Sequence, residues 1–456
     1  MSENNNINEV ISRSRAAQKQ FEFASQQQAD AAARAVCKVI YDNAQRLAEL
    51  AIEETGMGCY EDKISKCRTK SLLIWNYMKD KKTVGVIRRD EERKILEVAK
   101  PMGVVASVIP STNPIVTPMS NAACALKTRN SIVFSPHPKA NRCTQEAVRL
   151  FRAELEKLGL PADLVQTLIS PDKQDSSDLM QASDIIIATG GSGLVKRAYS
   201  SGRPAVGVGP GNVQCIIDTD ADLAKAAEDI ITGRTFDNGL ICLGEQCVFV
   251  PEESFDAFVE QLTARGCFYV DDAAQKQQLR DAIFPDGGPI NRQITGQSTM
   301  RVAELAGLDI PEGTRMIAVK GDAVGSAEPL CREKMCPVIT LLPYTGFENG
   351  VDMICQNLEF EGKGHSISIH SQNQEHIEYA AVRCSVSRII VNQPAGTTGG
   401  GSYFNGFIPT TTLGCGSWGG NSFSGNFNYE HLMNISRVGF PYEESNVPAA
   451  EEIWAE

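Results

Sequence analysis

GVVASVIPSTNPIVTPMSNAACALKTRNSIVFSPHPKA, from Gly103 to Ala140, is the stretch on which the fold turns. Val104 to Ile109 is a short apolar run, Met119 to Lys127 has helical character, and Ser131 to Phe134 is a second short apolar run. Strands that are apolar on both faces, joined through a helix, are what a parallel sheet requires, because its crossovers cover both of its faces. The same alternation continues downstream. A helix is expected from about Thr144 to Leu158, stopped by Gly159 and Pro161, with strands near Val165 to Ile169 and Asp184 to Ala188. The pattern is that of an α/β, doubly wound dinucleotide-binding architecture.

Beyond Thr235 a second alternating stretch begins, with CVFV at Cys247 to Val250, a helix near Phe255 to Ala264 and another near Asn349 to Gln356. A second α/β lobe follows from it, and 456 residues suffice to bury two separate cores. Upstream, Ser25 to Thr55 reads as an amphipathic helical lead-in ended by Gly56. Thr83 to Lys100 reads as two short strands around a charged turn at Arg88 to Arg93, a projecting β flap. The Gly-, Asn-, Ser- and Thr-rich tail from Gly399 to Asn428 cannot build a core alone and is expected to wrap between the lobes or around a partner. The expected division is therefore 1–82 and 101–231 as the cofactor-binding domain, 232–412 as the catalytic domain, and 83–100 with 413–456 as oligomerisation elements.

Composition narrows the function classes. A net charge of −12 disfavours nucleic-acid binding, which draws on clustered Lys and Arg. No apolar run approaches the ~20 residues that span a bilayer, and MSENNNINEV lacks the features of an export or transit signal, so a cytoplasmic protein with no membrane partner is expected. The cysteines are scattered with no CxxC, which favours reduced thiols over disulfides. No HExxH occurs, and His137, His365, His370, His376 and His431 form no ligand-spaced cluster, so no metal is expected.

Three segments could carry chemistry. ATGGSG, Ala188 to Gly193, lies between a strand and a helix, where free N–H groups and close backbone approach suit a phosphate. A tight turn with no ligand accounts for these glycines equally well. AVGVGPGN, Ala205 to Asn212, is a weaker glycine cluster, with a plain strand-to-strand loop as its alternative. Cys242 sits between Gly239 and Gly244 just before a β-like run, a setting that exposes a thiol to substrate. Most free cysteines, however, are small core hydrophobes, and Cys247 fits that description. Asn113, in PSTNP, is held by flanking prolines where its amide could donate to an oxyanion, although Asn-Pro also serves ordinary turns.

Together with FSPHPKA, SSGRPAVGVGPGN, FDNGLICLGEQ, CREKMCPV, GKGHSISIH, TLGCGSWGGNS and IWNYMKDKKTVG, these segments resemble the CoA-acylating branch of the aldehyde dehydrogenase superfamily over nearly the whole chain. The resemblance implies that Cys242 is the nucleophile and that Asn113 and the Cys242 N–H form the oxyanion hole. It also implies that His365 assists attack by the CoA thiol or organises the site. Ser111, Thr112, Ser135, Pro136, His137, Lys139, Ala188, Thr189, Gly190, Gly191, Ser192, Gly193, Gly209 and Glu333 would hold a nicotinamide dinucleotide, with Glu333 at its nicotinamide ribose. Hydrolytic members carry a glutamate base in the Ala205 to Asn212 stretch, which here has no carboxylate. A thiol ionises far more readily than water, so coenzyme A is the expected acyl acceptor and co-substrate. His137, Lys139 and the nearby Arg142, with no acid in the turn, favour NADP over NAD.

The expected reaction is the reversible conversion of succinate semialdehyde, CoA and NAD(P)+ to succinyl-CoA. Sulfoacetaldehyde and acetaldehyde are alternatives of the same chemistry, phosphate is the rival acceptor, and a non-catalytic nucleotide-binding scaffold is the alternative of another class. An anionic substrate tail would need cations or hydroxyls, and the GHSIS segment and Thr410 to Thr412 are the candidates. The flap and the C-terminal segment resemble the family's oligomerisation elements, so at least a homodimer is expected.

Overall fold

The computed structural model describes residues 6–442 and 447–455; residues 1–5, 443–446 and 456, expected in the first domain and the C-terminal element, lie outside them. Helices α1 (Ile7–Phe21), α2 (Gln26–Asp42), α3 (Ala44–Thr55) and α4 (Tyr60–Met78) lead the chain. The expected lead-in is thus two helices. They break at Asn43, whose side-chain amide donates to the Val39 carbonyl at 2.8 Å. Gly56 closes α3 in the left-handed region at φ 64°, the stop its position predicts. Ser25 and Gln28 cap α2 reciprocally.

Strands β1 (Gly85–Asp90) and β2 (Ile95–Pro101) form the flap. Arg88 to Asp90 belong to β1, so the turn is confined to residues 91–94, with Lys94 at φ 52°. Strands β3 (Val104–Val108), β4 (Ser131–Ser135), β5 (Val165–Thr167), β6 (Ile185–Thr189) and β7 (Ala205–Val208) make a parallel sheet in the order β5-β4-β3-β6-β7. Helices α5 (Val116–Lys127), α6 (Asn141–Lys157), α7 (Lys173–Ala182) and α8 (Ser192–Tyr199) connect them. β3 and β4 are buried throughout. One face packs under α2, α5 and α6 through Val36, Ile40, Phe134 and Phe151, and the other under α1 and α7 through Ile11, Val133 and Leu179. The chain runs outward from β3 in one direction to β5 and in the other to β7, so the carboxyl end of β3 is a topological switch point.

A second parallel sheet contains β8 (Val213–Ile217), β9 (Glu245–Pro251), β10 (Cys267–Val270), β11 (Met316–Lys320), β12 (Val338–Tyr344), β13 (Ile367–His370) and β14 (Ile389–Val391), ordered β10-β11-β12-β9-β8-β13-β14. Its helices are α9 (Leu223–Thr235), α10 (Phe255–Ala264), α11 (Ala273–Ile283), α12 (Thr299–Ala306), α13 (Phe347–Phe360) and α14 (Gln374–Arg383). The two sheets part between residues 208 and 213. Residues 213–231, expected in the cofactor-binding domain, therefore enter the second sheet as β8 and the start of α9. An apolar strand reads the same in either sheet, which is why the boundary is set too late in the sequence. Strands β15 (Leu413–Cys415) and β16 (Ser424–Asn426) pair within the Gly-rich tail. Finally β17 (Met433–Gly439) pairs antiparallel with β2, so the flap is a three-stranded sheet of order β1-β2-β17.

Candidate active site

Asn113 follows β3 and Cys242 precedes β9, so each sheet supplies one side of the site. They meet in a cavity of about 240 Å³ that Lys66, Lys70, Thr411 and Leu413 also line. Lys63, Lys66 and Lys70 are spaced by three and four residues on α4 and share one face of it. This face was not singled out in the sequence, because three lysines on a helix ordinarily mark a solvated surface. Here Lys63 and Lys66 are buried against the carboxylate of Asp237, at 3.2 and 2.5 Å. Burial opposes ionisation of Asp237, and the two ammonium groups outweigh it, leaving the carboxyl below its ordinary range.

That ion cluster fixes Asn113. Lys66 Nζ donates to Asn113 Oδ1 at 2.7 Å. An ammonium group has donors only, so the atom facing it must be the amide oxygen. The amide NH2 group is thereby turned away from Lys66 and remains available as a donor in the cavity that Cys242 lines. The Cys242 N–H lies next to its own Sγ. The two donors together provide what an oxyanion hole needs.

The Cys242 loop is held at three points. Asp237 and Asn238 both adopt left-handed backbone, at φ 52° and 53°, a conformation costing about 1–3 kcal/mol for each non-glycine residue. Asp237 is held there by its lysines and by the Cys59 N–H at 2.9 Å, and Asn238 by the Gly58 carbonyl at 3.0 Å. The buried guanidinium of Arg234 then donates to the carbonyls of Gly239 at 3.0 Å and Gly244 at 3.3 Å, the two glycines that bracket Cys242, and to Cys336 at 2.6 Å. Gly211 approaches the other side of the loop so closely that a Cβ there would lie 2.3 Å from the Cys242 carbonyl oxygen. Only glycine fits that contact.

Burial, with the neighbouring Glu333 charge, pushes the Cys242 thiol up to about 12, and Arg388 opposes both. Cys242 therefore rests as a thiol. Burial and the charge of Glu361 likewise raise Glu333 to about 8, and the Gly211 N–H lies against its carboxyl group. Glu333, the β7–β8 loop and Cys242 thus meet as neighbours. Asn212 in that loop does not supply a base; its amide donates to the Cys331 carbonyl at 2.9 Å.

His365 is fully buried, outside the lining of the Cys242 cavity, and neither ring nitrogen has a hydrogen-bond partner among the described residues. Burial and Arg388 hold its pKa well below the ordinary histidine value, so the ring is neutral. Arg388 links it to Cys242: the guanidinium donates to the His365 carbonyl at 2.8 Å and counters charge on the Cys242 sulfur. Two unpaired buried ring nitrogens are costly, about 1–3 kcal/mol each, unless a ligand group meets them. Of the candidates for an anionic tail, Thr410 and Thr411 line the cavity, and Thr411 Oγ1 is buried without a partner among the described residues. Ser366, in GHSIS, is instead taken by Arg388 Nε at 3.0 Å.

The candidate cofactor residues gather at the carboxyl ends of the first sheet. Ser111 and Thr112 follow β3, Ser135 ends β4 and Pro136 to Lys139 follow it, Ala188 to Gly193 pass from β6 into α8, and Gly209 follows β7. This row at the switch point fits a dinucleotide, and the buried Thr189 Oγ1 has no partner among the described residues. His137 Nδ1 accepts the Lys139 N–H at 3.1 Å and Ser135 shares a hydrogen bond with Ser176 at 2.8 Å, so both are already positioned. One feature of the turn was invisible in the sequence. Glu54 of α3 accepts the Arg142 and Cys143 N–H groups at 2.7 Å each, and Glu53 pairs with the Arg142 guanidinium at 3.0 Å. Two acids therefore reach a turn whose own sequence has none. A second cleft, of about 600 Å³, is lined by Lys196, Tyr199, Gly209, Lys363 and Trp418 and reaches Cys415, a neighbour of Cys242.

Comparison with known proteins gives the family to which the chain is similar. The model of the aldehyde dehydrogenase family matches residues 1–277. The succinate-semialdehyde dehydrogenase (acetylating) of Clostridium kluyveri is 51% identical over 454 residues, covering 100% of both chains. A sulfoacetaldehyde dehydrogenase of an Acholeplasma species is 38% identical over 98% of this chain and 93% of its own. Among solved structures, an acetylating aldehyde dehydrogenase from Geobacillus thermoglucosidasius superposes with a TM-score of 0.93 at 38% identity, covering 97% of this chain and 98% of that one.

Proposed function

The chain belongs to the aldehyde dehydrogenase family, as an NAD(P)-dependent oxidoreductase of its CoA-acylating branch, and on that premise we propose that it interconverts succinate semialdehyde and succinyl-CoA. The observation that carries the substrate is Lys70. Its ammonium lines the cavity shared by Cys242 and Asn113 and donates to the Gly400 carbonyl at 2.8 Å, with no carboxylate paired to it among the described residues. A carboxylate two methylene groups from the reacting carbonyl is the anion such a pocket suits, with Thr411 Oγ1 as a second donor.

In the proposed cycle Cys242 gives up its thiol proton to solvent as Sγ adds to the aldehyde carbon, while the Asn113 amide and the Cys242 N–H stabilise the developing oxyanion. A bound nicotinamide dinucleotide supplies the hydride acceptor. Cys242 then carries the acyl group as a thioester; the CoA sulfur displaces it, the CoA thiol proton passing to the departing Cys242 sulfur, and the neutral His365 is proposed to assist this step or to organise the site. Water has no carboxylate base in the Ala205 to Asn212 loop to activate it. Exchange of one thioester for another changes little free energy, so the cycle runs in both directions.

The test compares succinyl-CoA, acetyl-CoA and sulfoacetyl-CoA as oxidants of NADPH and NADH. Succinyl-CoA is expected to be preferred, and Lys70→Met to raise its KM about 10- to 100-fold while acetyl-CoA moves little. Equal effects on both esters would remove the tail assignment. Burial, with Lys66 as a like charge, brings Lys70 down to about 8. It is charged below that pH, so the preference for the succinyl ester is expected below pH 8 and to fade above it.

For the hydride carrier, the proposal remains NADP. Its support is Lys139, which is exposed and forms no ion pair among the described residues. A second reading, NAD, draws on Glu53 and Glu54, which neutralise Arg142 and bring carboxylates to the ribose turn. A kcat/KM for NADPH at least about tenfold above that for NADH is expected, and the reverse ratio decides for NAD.

We also place this enzyme in the cytoplasm and propose at least a homodimer, formed along the exposed edge of β1 in the three-stranded flap.

A further inference from the structure

Two cysteines remote from the catalytic cavity lie against each other. Cys355 is on α13 and Cys384 is the residue that closes α14; their sulfurs are 3.9 Å apart. Cys355 is partly exposed and Cys384 is buried. Cys355 also faces the Arg383 carbonyl at 3.7 Å. We propose that this pair is a redox-active dithiol, which a peroxide oxidises to an intramolecular disulfide. The inference does not depend on the reaction assigned to Cys242.

The environment separates this pair from the remaining thiols. Buried cysteines such as Cys67 and Cys124 are pushed up to about 12 by burial, and stay protonated. A hydrogen bond from Cys384 lowers Cys355 to about 7 against the opposing effect of burial, and the Arg383 charge assists. The partner thiol is raised in return. Cys247 and Cys331 also interact, but both are fully buried and closed to an oxidant in solution. Among the described residues, Cys355 alone combines a thiol lowered to about 7, partial access and a second sulfur in reach.

The chemistry balances with hydrogen peroxide as oxidant. The Cys355 thiolate attacks one peroxide oxygen and the O–O bond breaks, leaving a sulfenic acid and, after protonation, one water. The Cys384 sulfur then displaces hydroxide from the Cys355 sulfur, gives up its proton, and forms the S–S bond as a second water leaves. Two thiols are oxidised by two electrons and the peroxide is reduced. The sulfurs must close from 3.9 Å to about 2.05 Å, a movement available between a helix flank and a helix end.

The bond would tie together two supports of the active site. Six residues beyond Cys355, at the end of α13, Glu361 accepts from Arg332 at 3.1 Å and from the Glu333 N–H at 3.2 Å. Directly after Cys384, the Ser385 carbonyl accepts from Gly364 at 2.8 Å, beside His365.

The test uses the full chain as Cys242→Ala, so that the nucleophile consumes no oxidant. Treatment with hydrogen peroxide, followed by unfolding and thiol titration, is expected to show a loss of two thiols per chain, restored by dithiothreitol. Peptide mapping should recover Cys355 joined to Cys384. In Cys242→Ala/Cys355→Ser the same treatment should form no disulfide at Cys384. The proposal is overturned if the count does not change, if Cys355 is recovered as an unlinked sulfinic acid with Cys384 free, or if the same two-thiol loss persists in the double variant. Mapping of the single variant decides the matter even if the double variant does not fold.

Discussion

Cys242→Ala is expected to lower kcat by at least about 10⁴-fold in the reduction of succinyl-CoA, because a methyl group can neither add to a carbonyl nor carry the acyl group. Cofactor binding should survive, since the cavity loses only one sulfur atom and the crevice at the ends of β3, β4 and β6 is untouched. Steady-state absorbance at the nicotinamide band, paired with cofactor titration by fluorescence, separates the two effects. Turnover within tenfold of the native enzyme would show that another group is the nucleophile. The product also matters: release of free acid in preference to a CoA ester would contradict the absence of a carboxylate base in the Ala205 to Asn212 loop.

The second large effect belongs to the amide opposite the thiol. Asn113→Ala is expected to lower kcat by about 10²- to 10³-fold, corresponding to roughly 2.7–4 kcal/mol of lost oxyanion stabilisation, with a smaller change in KM. The ion cluster behind the amide provides an internal control. Lys66→Met leaves Asn113 in place but removes the donor that fixes its oxygen at 2.7 Å, so the amide can turn over. Its kcat should fall in the same direction, and adding it to Asn113→Ala should produce less than a multiplicative loss, because the two changes share the Asn113 interaction while Lys66 also holds Asp237 at 2.5 Å. Fully multiplicative losses would mean that Lys66 acts independently of the amide.

Much of this site was legible because strand ends and loop glycines announce themselves locally. The short apolar runs around Val104 and Ile132 gave the parallel sheet, and Gly239 and Gly244 flagged the loop of Cys242. What escaped notice has a common physical character: the information is split between distant segments. Lys63 and Lys66 read as a solvated helix face until Asp237, more than 170 residues away, closes on them. Glu54 reads as an ordinary acid of α3 until the fold sets it over the first turn of α6. Arg234 gives no local sign that its guanidinium would meet only backbone carbonyls. The late domain boundary has a related cause, since β8 is as apolar as its predecessors and only pairing assigns it to a sheet.

Helix α4 packs on α2, α3 and α5, and so belongs to the first core, yet its lysines hold Asp237 at the root of a loop that leads into the second sheet. The reactive sulfur is therefore tethered across the seam between two separately built bodies. Halves expressed apart, divided near residue 211, would each keep a sheet but neither would own a working centre; catalysis would report their reunion, and its onset would follow the bimolecular rate at which the pieces find one another.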